Sequence, residues 1–371
     1  MRVGIPTEIK NNEFRVAITP AGVAELVHRG HEVIIQSGAG DGSSICDADF
    51  KRAGAQLINS ADQVWEEAEL LLKVKEPIEA EYHRMREGQT LFTYLHLAAS
   101  KPCTDALMAS GTTSIAYETV QTPDGALPLL APMSEVAGRL SAQVGAYHLM
   151  RSQGGRGVLM GGVPGVAPAD VVVIGGGTAG YNAARVAAGM GAHVTVFDVS
   201  IDKLRDVDAE FGGRIETRYS SILELEDAVK RADLVIGAVL VPGAKAPQLV
   251  TNSTVAHMKP GAVLVDIAID QGGCFEDSRP TTHDDPTFAV HDTIFYCVAN
   301  MPGAVPRTST FALTNATMPY VVKLADQGWR AACRADGTLA KGLSTHEGAL
   351  LSEQVADDLG LPYTDPASVL V

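Results

Sequence analysis

An arginine in an unusual context is the first residue that could do chemistry. Arg15 lies in the stretch TEIKNNEFRVAITPAG, where a polar loop rich in Asn and Glu leads into apolar residues. A helix is predicted to begin just beyond it, with Thr19 as N-cap and Pro20 at the first helical position. A cation among residues that look packed requires an anionic partner. Arg15 is therefore a candidate for binding an anionic ligand.

A glycine-rich loop provides the second candidate site. Gly175, Gly177 and Gly180 follow an apolar strand pattern and precede a helix pattern, and the next strand ends in Asp198. Glycines at this spacing permit a tight turn, close approach of a pyrophosphate and close helix–strand packing. A carboxylate at Asp198 binds a ribose diol and repels a 2′-phosphate, which favours NAD over NADP. Lys203 either contacts the adenosine end or is solvated.

Bulk properties exclude several classes of protein. The 371 residues are 46% hydrophobic and 20% charged, as in soluble globular enzymes with two domains. A formal charge of −15 argues against nucleic acid or an anionic membrane as partner. We expect no signal peptide, no membrane span and no metal site. The five scattered cysteines favour reduced thiols in a cytoplasmic protein.

The elements that must position these residues alternate between strand and helix. Strand patterns in the N-terminal part are RVGIP, HEVIIQSG, ELLLKVKEP, TLFTYLHL and TSIAYETV. A second series has the six strands of a doubly wound dinucleotide domain: VVVIG, HVTVFDV, RIETRYS, DLVIGAVL, AVLVDIAI and TIFYCVAN. Helices are predicted over Ala21–Arg29, Ala61–Ala68, Ile78–Arg86, Pro102–Ser110 and about Met133–Ser152.

These patterns predict an α/β fold with two domains. Residues 129–307 would form an NAD-binding Rossmann domain with a doubly wound parallel sheet. Residues 1–128 and 308–371 would form a discontinuous α/β substrate domain. The C-terminal segment is predicted to be helical through Gln327 and again over Gly348–Asp358. Without a sheet of its own, it should pack on the N-terminal part.

Motifs along essentially the whole chain resemble those of L-alanine dehydrogenases. They are MRVGIPTEIKNNEFRVAITPAG, LLLKVKEP, LFTYLHLA, LAPMSEVAGRL, GGVPGV with VIGGGTAG, LVDIAIDQGGCFE, NMPGAVPRTST and KGLSTHEGALLSE. This family belongs to a wider group with the cofactor domain of proton-translocating transhydrogenase. The resemblance implies reversible, NAD-dependent oxidative deamination of L-alanine to pyruvate and ammonium. It also implies a homo-oligomer, namely a hexamer.

The resemblance further implies three substrate-side residues in the N-terminal part. Arg15 would bind the substrate carboxylate with its guanidinium fork. Lys75 would donate to the carboxylate or carbonyl oxygen, although strand alternation puts Lys73 and Lys75 on one face and does not choose between them. His96, at the carboxyl edge of the next predicted strand, would give and take a proton.

Asp270 is the fourth substrate-side residue that the resemblance implies. Strand alternation in AVLVDIAID sends Asp266 and Asp270 to one side, and Val265, Ile267 and Ile269 to the other. An acid at the carboxyl end of this strand would lie near the nicotinamide and act as a second proton-handling group. The alternative is a structural cap for the turn that follows.

The motifs also indicate cofactor contacts in addition to the glycine triplet, Asp198 and Lys203. Ser134 starts a predicted helix and could reach the phosphate or nicotinamide region. The full set of further contacts is Ser134, Thr178, Ala179, Ser220, Val239, Leu240, Ile267, Arg279, Val298, Asn300 and Met301. His346, in STHEGA, belongs to a family-like motif but has no chemical role that we can assign.

Three alternatives remain open from the sequence. A transhydrogenase-like NAD-binding subunit would share the cofactor motifs, but that family lacks the equivalents of Lys75 and His96. A non-catalytic NAD-binding protein would have lost the chemistry, although the four substrate-side residues are all retained. A dehydrogenase for glycine and glyoxylate would act on substrates smaller by one methyl group. That group is worth only about 1–3 kcal/mol in binding, so activity on both substrate pairs is expected.

Overall fold

The computed structural model describes residues 1–239 and 246–371, which form two compact units. Unit 1 combines Met1–Met133 with Val305–Val371, and unit 2 is the segment Ser134–Ala304. Each unit has its own sheet and its own hydrophobic core. None of the described helices is long and apolar enough to cross a membrane.

Fifteen strands lie in the described residues. They are β1 Arg2–Ile5, β2 Glu32–Gln36, β3 Gln56–Ile58, β4 Leu70–Leu72, β5 Thr90–Thr93, β6 Thr113–Ala116, β7 Asp170–Ile174, β8 His193–Asp198, β9 Ile215–Tyr219, β10 Leu234–Gly237, β11 Val263–Asp266, β12 Thr287–Val290, β13 Thr293–Tyr296, β14 Leu343–His346 and β15 Ala349–Leu350.

The α-helices in the same part of the chain are mostly short. They are α1 Pro20–His28, α2 Asp47–Ala53, α3 Ala61–Glu67, α4 Lys101–Ser110, α5 Ala131–His148, α6 Thr178–Gly189, α7 Ile201–Phe211, α8 Ile222–Arg231, α9 Asn252–Val255, α10 Pro306–Gln327, α11 Trp329–Ala335, α12 Gly337–Ala340, α13 Glu353–Leu359 and α14 Pro366–Val369. The 3-10 segments of the same part of the chain include Glu79–Arg84, Leu97–Ala99, Tyr117–Thr119 and Ile267–Gln271.

The sheet of unit 1 has the strand order β15-β14-β6-β5-β4-β1-β2-β3. Strands β1 to β6 pair in parallel, whereas β14 and β15 are antiparallel additions at one edge. Strand β4 is buried throughout, as expected when helices cover both faces of a parallel sheet. Trp65, Leu71 and Leu107 belong to its core. The order β6-β5-β4-β1 places the carboxyl ends of four strands side by side.

The sheet of unit 2 has the order β12-β13-β11-β10-β7-β8-β9. All pairs are parallel except β12 with β13, and the chain reverses direction across the sheet at β7. Phe197, Leu264 and Phe295 are fully buried in its core. This is the doubly wound arrangement, in which ligands bind at the carboxyl ends of the strands.

The α/β prediction is confirmed, and each predicted strand pattern contains an observed strand. The start of α1 is confirmed as well, because the Thr19 side chain accepts a hydrogen bond from Gly22 N with Pro20 at the first position. The segment predicted as a helix over Ile78–Arg86 is instead a 3-10 segment. Helix α5 begins at Ala131, so Ser134 lies within its first turn and does not start it.

The C-terminal prediction was wrong in one respect. Helix α10 is present, but residues 343–350 form the β14–β15 hairpin and extend the sheet of unit 1. The turn consists of Glu347 and Gly348, whose φ angles are 46° and 84°. Positive φ at both turn residues is the geometry of a tight hairpin, and glycine at the second of them favours it. The helix in this region starts only at Glu353.

Candidate active site

The four neighbouring strands of unit 1 each lead into a loop with a charged or titratable side chain. Arg15 follows β1, Lys75 follows β4, His96 follows β5, and Glu118 follows β6. Because these strands are parallel and adjacent, all four loops start from the same edge of the sheet. Unit 1 therefore places three of the four predicted substrate-side residues at one edge. The fourth, Asp270, belongs to unit 2.

Arg15 is buried, with 2% of its surface exposed, and Glu13 is its counter-charge. Its Nε donates to Glu13 Oε1 at 2.7 Å and its Nη2 to Glu13 Oε2 at 2.5 Å. Burial opposes the charge, but the hydrogen bonds and charge of Glu13 outweigh it, and the pKa of Arg15 is raised. Nη1 lies 3.0 Å from Met133 Sδ, a weak acceptor. The cation is thus permanent and fixed in direction.

The two lysines that alternation could not separate have different surroundings. Strand β4 ends at Leu72, and both lysines lie beyond it. Lys73 Nζ is buried and donates to Glu8 at 2.9 Å and to Glu81 at 3.0 Å. Burial lowers the pKa of Lys73, but the two carboxylates outweigh this and the pKa is raised. Lys73 is therefore part of a buried ionic group.

Lys75 instead lies beside the predicted catalytic histidine. It is half-buried, and its Nζ is 3.5 Å from His96 Nε2. An ammonium group is only a donor, so this contact requires the unprotonated Nε2 of His96 as the acceptor. The neighbouring Glu76 forms an ion pair with Lys10. Burial disfavours the Glu76 carboxylate, but the charges of Lys75 and Lys10 outweigh it, and the pKa of Glu76 is lowered.

His96 has a backbone conformation that is rare for a residue with a side chain. Its φ and ψ are 48° and 41°, in the left-handed region, and it immediately precedes the 3-10 segment Leu97–Ala99. Its ring stacks on Tyr94, with centroids 5.9 Å apart and planes at 11°. The sequence had predicted that the strand leads up to His96, but β5 ends at Thr93.

In unit 2, the glycine turn connects β7 to α6. Gly175 has a φ of 103°, and a Cβ at Gly180 would lie 1.7 Å from the Gly175 carbonyl oxygen. Helix α6 can pack this closely only because residue 180 is glycine. At Gly177, by contrast, the nearest atom to an added Cβ is Lys203 Nζ at 3.9 Å. A side chain at residue 177 would therefore meet no close neighbour among the described residues, and the adjacent Thr178, the first residue of α6, is exposed.

Asp198 is the last residue of β8, and its carboxylate binds the main chain of the glycine turn. Its Oδ2 accepts a hydrogen bond from Gly176 N at 2.6 Å, and its Oδ1 accepts one from Ser200 N at 2.7 Å. Lys203 Nζ lies 3.8 Å from Oδ2. Each carboxylate oxygen has a second lone pair for a further donor. Ser220, on the neighbouring strand end, donates its N–H to the Asp198 carbonyl.

The environment of Asp270 differs from the prediction. Strand β11 ends at Asp266, and Ile267–Gln271 is a 3-10 segment, so Asp266 and Asp270 do not share a side as alternating strand residues. The cause is Asp266 itself, whose Oδ1 accepts from Ala268 N at 3.0 Å and ends the strand. Burial raises the pKa of Asp266. Asp270 is exposed on the surface of the segment.

The other predicted cofactor residues mostly lie at strand ends of unit 2. Val239 follows β10 and approaches Gly175, with its Cγ2 3.2 Å from where a Gly175 Cβ would be. Arg279 is exposed and packs on the Phe288 ring at 4.3 Å. Val298 and Met301 are buried. The structure places the rest as follows: Ser134 in α5, Ile267 at the start of the 3-10 segment, Asn300 after β13 with a φ of 60°, and Leu240 outside the described residues.

Sequence reasoning missed the carboxylates that hold the cationic residues. Glu13 binds the Arg15 side chain, while Glu8 accepts from the main-chain N–H of Val74 at 2.6 Å. Glu118 accepts from His96 N at 2.6 Å. The only available signal was the polar sequence around Arg15, TEIKNNE, which contains Glu8 and Glu13.

His346 is placed away from these strand ends, in β14. Its Nδ1 is 2.9 Å from Thr113 Oγ1, and its ring lies 4.6 Å from the Trp329 ring. Burial lowers the pKa of His346. These contacts describe a packed core histidine. The described residues contain no cluster of His, Cys, Asp and Glu side chains that could hold a metal ion.

Comparison with known proteins identifies relatives over the whole chain. The Alanine dehydrogenase/PNT N-terminal domain matches residues 4–137, and the Alanine dehydrogenase/PNT C-terminal domain matches residues 141–353. An alanine dehydrogenase from Mycolicibacterium smegmatis is 86% identical over 370 residues and 100% of both chains.

Solved structures of the same two kinds of protein, alanine dehydrogenase and transhydrogenase, also match this chain. An L-alanine dehydrogenase is 52% identical with a TM-score of 0.94, covering 97% of this chain and 99% of that one. A transhydrogenase from Sinorhizobium meliloti is 25% identical with a TM-score of 0.82, covering 94% and 100%. With both family domains matched and full-length relatives at this identity, the chain belongs to the alanine dehydrogenase/PNT family.

Proposed function

We propose that the chain catalyses the alanine dehydrogenase reaction, the reversible NAD-dependent oxidative deamination of L-alanine to pyruvate and ammonium. The full-length relative at 86% identity supports this reaction over the transhydrogenase alternative, whose structural match is only 25% identical. The observation that carries the proposal is the 3.5 Å contact between Lys75 Nζ and His96 Nε2. It brings a carbonyl-polarising cation and a proton acceptor to one point.

The residues at the carboxyl edge of unit 2 fit a dinucleotide. The glycine turn leaves room at Gly177, and the main-chain N–H groups at the start of α6 would bind the pyrophosphate. Asp198 would accept the ribose hydroxyls with its remaining lone pairs and would repel a 2′-phosphate. NAD, when bound, supplies the acceptor for the hydride from the alanine Cα. Unit 2 would thus be the cofactor domain.

Unit 1 would bind the substrate. Glu13 holds Arg15 in position through Nε and Nη2, and the guanidinium would donate to the substrate carboxylate through Nη1, which contacts the weak acceptor Met133 Sδ. Lys75 would donate a further charged hydrogen bond to the carboxylate or to the carbonyl oxygen. Two fixed cations orient Cα and offset the desolvation of the anion.

His96 would handle the proton. Once Lys75 donates to the bound substrate instead, the unprotonated Nε2 of His96 can accept a proton from the water that attacks the imine carbon of iminopyruvate. The imidazolium formed can then return a proton to the amine as the carbinolamine collapses to pyruvate and ammonia. Asp270 would be a second proton-handling group, the role that the family resemblance implies for it. The resemblance also supports a homohexamer.

The test is NADH consumption by purified protein supplied with pyruvate and ammonium. Parallel reactions replace NADH with NADPH, replace pyruvate with glyoxylate, or omit ammonium. Rapid loss of NADH that requires both substrates is the expected result, with slower loss on glyoxylate. Tight NADH binding without turnover would contradict the proposal and indicate a non-catalytic binding protein. Light scattering on the same preparation measures the oligomeric state.

A further inference from the structure

We propose that Glu118 is a positioning residue for His96. Its carboxylate fixes the main chain at Leu95–His96 in the left-handed conformation from which the imidazole reaches Lys75. This inference rests on the proposed catalytic role of His96. Glu118 itself would touch neither substrate nor cofactor, and it would act only through the histidine.

The hydrogen bonds of Glu118 converge on two consecutive amides. Glu118 lies in the 3-10 segment Tyr117–Thr119, which directly follows β6, the neighbour of β5. Oε1 accepts from His96 N at 2.6 Å and from Leu95 N at 3.1 Å, and Oε2 lies 3.2 Å from Leu95 N. Hydrogen bonds to a charged acceptor are roughly twice as strong as neutral ones.

These two amides have no other acceptor in the described residues. Strand β5 ends at Thr93, so Leu95 and His96 lie beyond the strand ladder. A left-handed conformation is unfavourable for a residue with a Cβ, and such residues persist only where surrounding contacts require them. Without Glu118, both N–H groups lose their partner, and an extended conformation at residue 96 becomes favourable. The imidazole would then turn away from Lys75.

The ring of His96 is supported from a second direction. Tyr94 lies parallel to it at 5.9 Å, and the Tyr94 hydroxyl donates to the Leu129 carbonyl at 2.5 Å. Burial raises the pKa of Tyr94, so its phenol is neutral. The stack limits the tilt of the ring but does not set the backbone angles. Glu118 is the group that acts on the backbone.

The test compares Glu118→Ala and Glu118→Gln with the matched control Glu79→Gln. Glu79 is an exposed glutamate in another 3-10 segment. We expect Glu118→Ala to lower kcat by about 100-fold, the effect of a displacement near 1 Å, with the KM for pyruvate almost unchanged. Glu118→Gln should lose less, because an amide oxygen in the place of Oε1 still accepts from both N–H groups and only the charge is lost. The control should behave as the wild type.

A double-mutant cycle separates positioning from a general structural role. In a His96→Asn background, Glu118→Ala should have almost no further effect on the residual rate, because both changes remove one function. Wild-type kcat in Glu118→Ala, or an equal loss in both backgrounds, would overturn the proposal.

A readout without turnover keeps this inference separate from the proposed function. Hydrogen exchange of the amides in residues 94–99 should speed up in Glu118→Ala and remain unchanged in Glu79→Gln. Faster exchange with an inactive wild type would mean that the proposed function fails while Glu118 still anchors this loop. Unchanged exchange would overturn the positioning role even if the wild type is an active alanine dehydrogenase.

Discussion

The strand ends of the two units carry different chemical groups. In unit 1, charged side chains with their own counter-charges line the edge, as in the Arg15–Glu13 pair, where both side chains are at most 2% exposed. In unit 2, the edge consists of glycines and main-chain N–H groups at the start of α6. Fixed charges suit a small carboxylate whose Cα must be oriented. Main-chain donors at a helix N-terminus suit a pyrophosphate.

This difference has a consequence for mutation. At the edge of unit 2, the function depends on the absence of side-chain atoms, because there is no space for even a single methyl group at Gly180. At the edge of unit 1, it depends on charge balance, because each buried cation has a carboxylate that would be left uncompensated. Changes in atom size should therefore damage unit 2 most, and changes in charge should damage unit 1 most.

The largest effect is expected for Gly180→Ala. The added Cβ would lie 1.7 Å from the Gly175 carbonyl oxygen, so α6 must move off the glycine turn. NADH binding, measured by fluorescence titration, should fall below detection. Gly189→Ala in the same helix is the control, since an added Cβ meets nothing within 4 Å. It should bind NADH normally, and equal damage in both variants would contradict the size argument.

A large effect on stability is expected for Lys73→Met. It leaves the buried carboxylates of Glu8 and Glu81 without their shared cation, which costs about 3–5 kcal/mol of unfolding free energy at pH 8. Lys101→Met removes an exposed pair with Asp105 and should cost less than about 1 kcal/mol. Urea unfolding of both variants measures the difference.

The same variant makes a prediction about pH. Burial raises the pKa of Glu8, and Lys73 is a cause that lowers it, so removing Lys73 raises this pKa further. As the pH falls through the raised value, folded Glu8 takes up a proton that the unfolded chain does not bind, which favours folding. The deficit of Lys73→Met should therefore shrink between pH 8 and pH 5. A constant or growing deficit would contradict the assignment of a buried ionic group.

A smaller effect is expected for Asp198→Asn. The asparagine side chain keeps one acceptor oxygen but has no negative charge. It therefore no longer repels a 2′-phosphate, and its hydrogen bond from Gly176 N is weaker. The preference for NADH over NADPH, as a ratio of kcat/KM values, should fall by at least about tenfold. Asp202→Asn, which removes an exposed carboxylate on the next helix, should leave the ratio unchanged. An unchanged ratio in Asp198→Asn would remove Asp198 from cofactor selection.

The same comparison explains what the sequence could predict. The glycine turn depends on local spacing between residues 175 and 180, and the spacing is visible in the sequence. The ends of β4 and β11 were not predictable, because Glu8 and Asp266 take main-chain N–H groups away from strand geometry. For that reason, strand alternation did not apply to Asp266 with Asp270, and Lys73 and Lys75 both lie beyond the end of β4. The Glu347–Gly348 hairpin, however, carried a local glycine signal that could have been used.

The partners of the buried cations could not be predicted either. Lys73 pairs with Glu8 across 65 positions of sequence, and Glu118 reaches His96 across 22. Such contacts depend on the order of strands in the sheet, which a single sequence does not reveal. The fold class and the residues at the strand ends were within reach of pattern and resemblance. The carboxylates that anchor those residues required coordinates.

The central role of His96 is tested by the rate of NADH oxidation in the wild type and in His96→Ala, with pyruvate and ammonium saturating. In the wild type we expect rapid oxidation that requires both substrates. In His96→Ala we expect a rate lower by about 10²–10⁴-fold, with NADH binding retained, since general acid–base catalysis contributes that much. Near-normal turnover in His96→Ala would contradict the role of His96, and wild-type NADH loss without ammonium would contradict the proposed reaction.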